Sequence, residues 1–169
     1  MDPSLFQRAW MRFWMLFAGA GLLGRFASRM ATYAAPPLYK RAKLAYLAGR
    51  RGKGYVAPTA TVHHSAFELG SHSLIGEHVM IFQDEEGGRI QIAEYSSIFD
   101  FTFLQTGGGG RITIGSRTDI QPRCQFSAYE GSISIGDHVS IAPNCAFYPY
   151  NHTFAAGELI KEQSLTSKG

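Results

Sequence analysis

The feature that most constrains this chain is an apolar residue at every sixth position, in sets of three. Leu69, Ile75 and Ile81 form one set. Ile92, Ile98 and Leu104 form the next, then Ile114, Ile120 and Phe126, then Ile135, Ile141 and Phe147. Between sets the step lengthens to 11, 10 and 9 residues, and the extra residues lie in QDEEGG, QTGGGG and SAYEG, all turn-forming. A period of six fits neither an α-helix at 3.6 nor a flat alternating strand at 2. It fits a chain wound into a triangular prism, with one short strand and one inward apolar residue per side. Coils stacked at the strand spacing of roughly 4.8 Å give a prism of roughly 19 Å for four coils. Val56 and Val62, six apart, start a partial coil before the first set.

A second inward column accompanies the first. Ile90, Ile112 and Ile133 stand two residues before a rung residue, and Ser73, Ser96, Thr118 and Val139 do the same on another side. Gly70, Gly76, Gly115 and Gly136 each follow a rung residue, where they are expected to supply unusual backbone angles at the corners. An antiparallel sandwich of eight or nine strands is the competing arrangement, but its strands keep no six-residue register through four units.

Charge divides the chain. Residues 1–53 hold ten of the sixteen Lys and Arg and one acid, Asp2, for a charge of +9; the remainder carries −6. The expected division is therefore a basic helical segment and connector over 1–54 and a β-helix over 55–169. Residues 3–34 read as helix, with Gly19, Gly21 and Gly24 breaking it into two. The uncharged run Phe13 to Gly24 is twelve residues, too short to span a bilayer. A secretory signal is disfavoured by its glycines. Two placements stay open and are compatible. The segment lies in a membrane interface with Trp10, Phe13, Trp14 and Phe17 as anchors, or its apolar face caps the open end of the prism or packs on another subunit. Ala35-Pro36-Pro37 ends the helix, and 38–54 reads as a basic connector with a short helix stopped by Gly49. Its apolar content suits lipid better than nucleic acid.

Cys124 and Cys145 occupy the same slot of adjacent coils and read as small reduced thiols, with no metal spacing. His63, His64, His72, His78 and His138 fall at outward or corner positions and read as solvated. A γ-type carbonic anhydrase needs three converging histidines on zinc, which the spacing of His72, His78 and His138 does not offer. His152 differs. It follows a rung at the root of a segment with no continuing hexad, beside Asn151, Tyr148 and Tyr150, where a histidine can act as a base near neutral pH.

The stretch IGDHVSIAPNCAFYPYNHTF resembles the hexapeptide-repeat acyltransferases with a left-handed parallel β-helix, in particular the sugar O-acetyltransferase branch. The matching residues are Ile135-Gly136, Val139, Ile141-Ala142-Pro143-Asn144 and Asn151-His152, and the likeness covers roughly 55–169. It implies a trimer with active sites between prisms, acetyl-CoA as co-substrate without metal, and His152 as the general base. The acceptor is then a sugar hydroxyl, with Asn151, Tyr150 and Tyr148 as candidate binding residues, and the setting is cytoplasmic, at the inner face of the membrane, in surface polysaccharide or glycolipid synthesis. Family members continue with further coils beyond the His segment, typically an IG-x-x-V-W-I-G rung, which this sequence lacks. Either the sequence is a truncated version of a longer enzyme, or it is a shortened relative, and the alternative function is then a non-catalytic scaffold or remnant that trimerises or docks on membranes.

Overall fold

A computed structural model describes residues 4–19, 21–34, 54–84 and 87–167. Two helices open the chain, α1 (Leu5–Met15) and α2 (Leu22–Tyr33). The sequence Ser4-Leu5-Phe6-Gln7 starts α1 with a capping box: the Gln7 N–H donates to Ser4 Oγ at 3.2 Å, and the Ser4 N–H donates to Gln7 Oε1 at 2.8 Å. The break between the helices falls at Gly19 and Gly21, whereas Gly24, expected to share in it, lies inside α2 and is buried. The short helix expected within 38–54 lies, Gly54 apart, outside the described residues, as do Glu85 and Glu86 of the first long loop.

The rest is a parallel β-helix of about four turns. The first coil holds β1 (Tyr55–Val56), β2 (Thr61–His63) and β3 (Phe67–Leu69), the second β4 (Leu74–Ile75), β5 (Met80–Gln83) and β6 (Arg89–Ile92). The third holds β7 (Ser97–Ile98), β8 (Phe103–Gly107) and β9 (Arg111–Ile114), the fourth β10 (Asp119–Ile120), β11 (Gln125–Tyr129) and β12 (Ser132–Ile135). A fifth begins with β13 (Ser140–Ile141) and β14 (Ala146–Phe147). Strands three apart in sequence pair in parallel, giving three sheets. The register follows the sequence ladder: Val56, Ile75, Ile98, Ile120 and Ile141 align on one side. Val62, Ile81, Leu104, Phe126 and Phe147 align on the second, and Leu69, Ile92, Ile114 and Ile135 on the third. The rung residues of the middle coils are wholly buried.

The small-residue column turns out to be a hydrogen-bonded ladder. Ser73 Oγ donates to the Ala93 carbonyl and accepts from the Ser96 N–H. Ser96 Oγ donates to Gly115 O and accepts from the Thr118 N–H, and Thr118 Oγ1 donates to Gly136 O and accepts from the Val139 N–H. Each hydroxyl thus satisfies one donor and one acceptor where the strands turn a corner.

The corner glycines act differently from expectation. None of Gly70, Gly76, Gly115 or Gly136 has positive φ. Gly70, Gly76 and Gly115 are required by close stacking: an added Cβ would lie 2.5 Å from the Ala93 carbonyl carbon, 2.4 Å from Asp100 Oδ1 and 2.5 Å from the Gly136 carbonyl carbon, respectively. Glu130, Gly87, Gly88, Gly108, Gly109 and Gly157 adopt the left-handed backbone in the loops, but at these corners it falls instead on larger residues in two vertical columns, His72, Tyr95, Arg117 and His138, and His78, Phe101, Arg123 and Asn144. Their side chains stack along the prism, as His72 does on Tyr95 at 4.7 Å and His78 on Phe101 at 4.9 Å. Their amides bond to the coil below, as Tyr95 N–H does to Ser71 O and Phe101 N–H to Glu77 O. These contacts offset the roughly 1–2 kcal/mol that a left-handed conformation costs a residue with a Cβ.

His64 also departs from expectation. It turns in at the loop corner, bonds Thr106 Oγ1 two coils up at 2.8 Å, and accepts from the Ala66 N–H. Burial lowers its pKa below the ordinary 6.5.

The helical pair caps the first coil. Met11, Met15, Ala18 and Ala31 join the same core as Tyr55, Val56, Ala57 and Ala60, and the Arg25 guanidinium donates to the Ala60 carbonyl. Trp10 and Trp14, expected as outward anchors, are instead half-buried: Trp10 Nε1 donates to the Met30 carbonyl at 2.8 Å. No helix among the described residues is long and apolar enough to cross a membrane.

Candidate functional site

After Phe147 the hexad stops, and the chain leaves the prism. The segment expected as a loop is an arm with regular pairing: β15 (Tyr150–His152) runs antiparallel to β16 (Leu165–Ser167), with Asn151 opposite Thr166 and His152 opposite Leu165. Gln163 ties the outer part together. Its Oε1 accepts from the Ala155 N–H at 2.7 Å, and its Nε2 donates to the carbonyls of Ala155 and Glu158.

The root of the arm is fixed by aromatic rings. Phe147 stacks on Phe126 at 4.8 Å with planes 6° apart. Tyr150 turns back onto the fourth coil, its Oη 3.1 Å from Ser127 Oγ and its ring edge-on to Tyr129 and Tyr148, each at 6.0 Å. In β15, Tyr150 is half-buried against the prism, while Asn151 and His152 are exposed. The Asn151 carboxamide accepts from the His152 N–H at 2.9 Å.

Tyr148, Tyr150, Asn151 and His152 line one cleft of about 600 Å³, so the four residues singled out by sequence do come together. Pro149, Thr153, Phe154 and Thr166 complete its wall. Thr166 carried no signal in the sequence; antiparallel pairing with Asn151 brings it there. Among the described residues no Lys or Arg lines the cleft. From the end of the fourth coil onward the core is less well covered: Ile135, Val139, Cys145 and Phe147 are half-buried, against full burial one and two coils below.

No known family, curated protein or solved structure matches this chain. The fold and the cleft therefore rest on the chain's own geometry.

The other histidines stay apart from this cleft. His72, His78 and His138 belong to the two corner columns, and His64 to the loop corner. Among the described residues no three His, Cys, Asp or Glu side chains gather as a metal site. Both cysteines are free. Cys124 lies in the core, where burial raises its thiol pKa, and its Sγ donates to the Ala142 carbonyl at 3.1 Å.

Proposed function

We propose that this chain is an acetyl-CoA-dependent O-acyltransferase that acetylates a sugar hydroxyl, in the synthesis of surface polysaccharide or glycolipid, with His152 as general base. The observation that carries this reading is the passage of the last rung straight into an arm that brings His152, Asn151, Tyr148 and Tyr150 to one cleft. The order of rung, strand and His is the order of the enzymes the sequence resembles.

The cleft has the size of a small-molecule site, for which roughly 300–1,000 Å³ is usual. Its aromatic faces suit a sugar ring, and the Asn151 amide suits a hydroxyl. Acetyl-CoA supplies the activated acetyl thioester and sets the reaction in the cytoplasm. His152 takes the acceptor proton as the acceptor oxygen bonds to the thioester carbonyl carbon, and returns that proton to sulfur as the C–S bond breaks. No covalent enzyme intermediate is needed, so neither cysteine has a part. The cation-free lining fits the acetyl end of the co-substrate and leaves its phosphates outside. A neighbouring prism in a trimer would close the open side.

The test is His152→Ala, assayed by transfer to a panel of sugars together with calorimetry on acetyl-CoA. The expected result is a loss of about 10²–10⁴ in turnover with unchanged acetyl-CoA binding. Unchanged turnover removes His152 from the chemistry. A second reading, a β-helix scaffold without chemistry, is favoured by one observation: among the described residues no side chain holds a ring nitrogen of His152, whereas a catalytic base is usually oriented by a third group. Calorimetric silence at millimolar acetyl-CoA would decide for it.

A further inference from the structure

The helical pair has two faces, and the prism uses one. With 100° per residue, Met11 and Met15 fall on one side of α1, with Ala18 in the turn after it, and Ala27, Ser28 and Ala31 on one side of α2; all are buried. The opposite stripe of each helix is large, apolar and open. Leu5 is 84% exposed, Leu22 86% and Leu23 84%, and Phe6, Phe13 and Phe17 are each more than half exposed. Arg12 and Arg29 edge these stripes and are exposed as well.

We propose that this outer face docks on an anionic membrane surface, with both helices lying in the interface plane while their inner faces cap the β-helix. Four observations select this occupant. First, an apolar stripe of this extent on a soluble surface marks an interaction site, and its leucines and phenylalanines are the side chains that enter the headgroup–acyl boundary. Second, residues 4–34 hold four arginines and no acid, and the adjoining sequence to Lys53 adds six more cations. This charge is complementary to anionic lipid, at roughly 1 kcal/mol per surface cation. Third, the same charge opposes a second copy, because two such faces brought together would set the four arginines of residues 4–34 against four more, with no acid in that stretch to offset them. Fourth, α1 and α2 have 11 and 12 residues, about 17–18 Å of helix against a hydrocarbon core of about 30 Å, so they lie on a bilayer and do not span it.

The structure also supplies a variant that tests the face without disturbing the fold. Leu5 and Leu22 are the first residues of their helices and Leu23 the next. All three are highly exposed, and an aspartate in a first turn favours the helix. Full-length Leu5→Asp/Leu22→Asp/Leu23→Asp should keep its circular dichroism and melting temperature. The assay is co-sedimentation with vesicles of phosphatidylcholine alone or with 30% phosphatidylglycerol (about one anionic lipid in three). The wild type is expected to bind the anionic vesicles at least tenfold better than the neutral ones, to lose binding as salt rises, and to bind on the order of a hundredfold better than the triple variant. Absence of wild-type binding, equal binding to both vesicles or equal binding by the variant would each overturn the proposal. Self-association that the variant abolishes, without vesicle binding, would assign the face to a second copy and overturn it too.

Discussion

Replacing Ser96 by Ala measures what the hydroxyl ladder contributes. Ser96 is fully buried, and its Oγ donates to Gly115 O at 2.7 Å while accepting from the Thr118 N–H at 3.0 Å. Alanine fits the space, so no overpacking enters. The substitution orphans one donor and one acceptor, and Thr118, which carries the donor, is itself wholly buried. An unsatisfied buried group costs about 1–3 kcal/mol. An N–H is the worse orphan, because a carbonyl tolerates partial satisfaction better. The expected loss is therefore about 3 kcal/mol, which in a domain of this size lowers Tm by roughly 6–12 °C. The assay is urea and thermal unfolding followed by circular dichroism, with Ser96→Thr as the control, since Thr118 fills the equivalent slot one coil up with the same two bonds. A loss below about 0.5 kcal/mol for Ser96→Ala, or a Thr variant as weak as the Ala variant, would refute the claim that the ladder satisfies the corner backbone.

Gly115→Ala and Gly136→Ala should differ sharply, although both glycines follow a rung isoleucine. The first places a Cβ 2.5 Å from backbone and should cost several kcal/mol; the second meets nothing within 4 Å and should cost less than about 0.5 kcal/mol in thermal unfolding. Burial lowers the pKa of His64, so the folded state binds its proton less readily than the unfolded chain. Its contribution to stability is complete above pH 6.5 and is lost as the pH falls through the lowered folded pKa. His64→Gln should flatten that part of the Tm–pH profile, and an identical slope in the variant would refute the assignment. Cys145, half-buried, should react with a thiol reagent in the native state, and Cys124, in the core, only as the chain unfolds; equal rates would count against the packing of the last two coils. Tyr150→Phe removes the bond to Ser127 while keeping the ring contacts. It should cost about 1 kcal/mol in thermal unfolding.

What was legible in the sequence was what repeats. A six-residue period forces the rung residues inward, and the rungs at Ile75, Ile98, Ile120 and Ile141 stack in the register their spacing implies. The clustering of Tyr148, Tyr150, Asn151 and His152 was also legible, because neighbours in a short segment after the last rung stay neighbours in space. Features that depend on contacts between coils were not. Gly70 and Gly115 looked like residues needing free backbone angles, yet their lack of a Cβ serves the coil above, and the left-handed positions fell on His, Tyr, Phe and Arg, which stack. His64 looked solvated because its outward slot was read alone, while its partner Thr106 stands 42 residues on.

The sequence by itself determined the prism, its register, the helical break and the gathering of Tyr148, Tyr150, Asn151 and His152, because each follows from local periodicity and short-range chemistry. Only the tertiary structure decided how the ends are used. It turned Trp10 and Trp14 inward and left Leu5, Leu22 and Leu23 outside, since an amphipathic helix does not specify which neighbour its faces meet until packing assigns them. It also made the final segment an antiparallel arm, because pairing between Asn151 and Thr166 is a long-range choice that no repeat records.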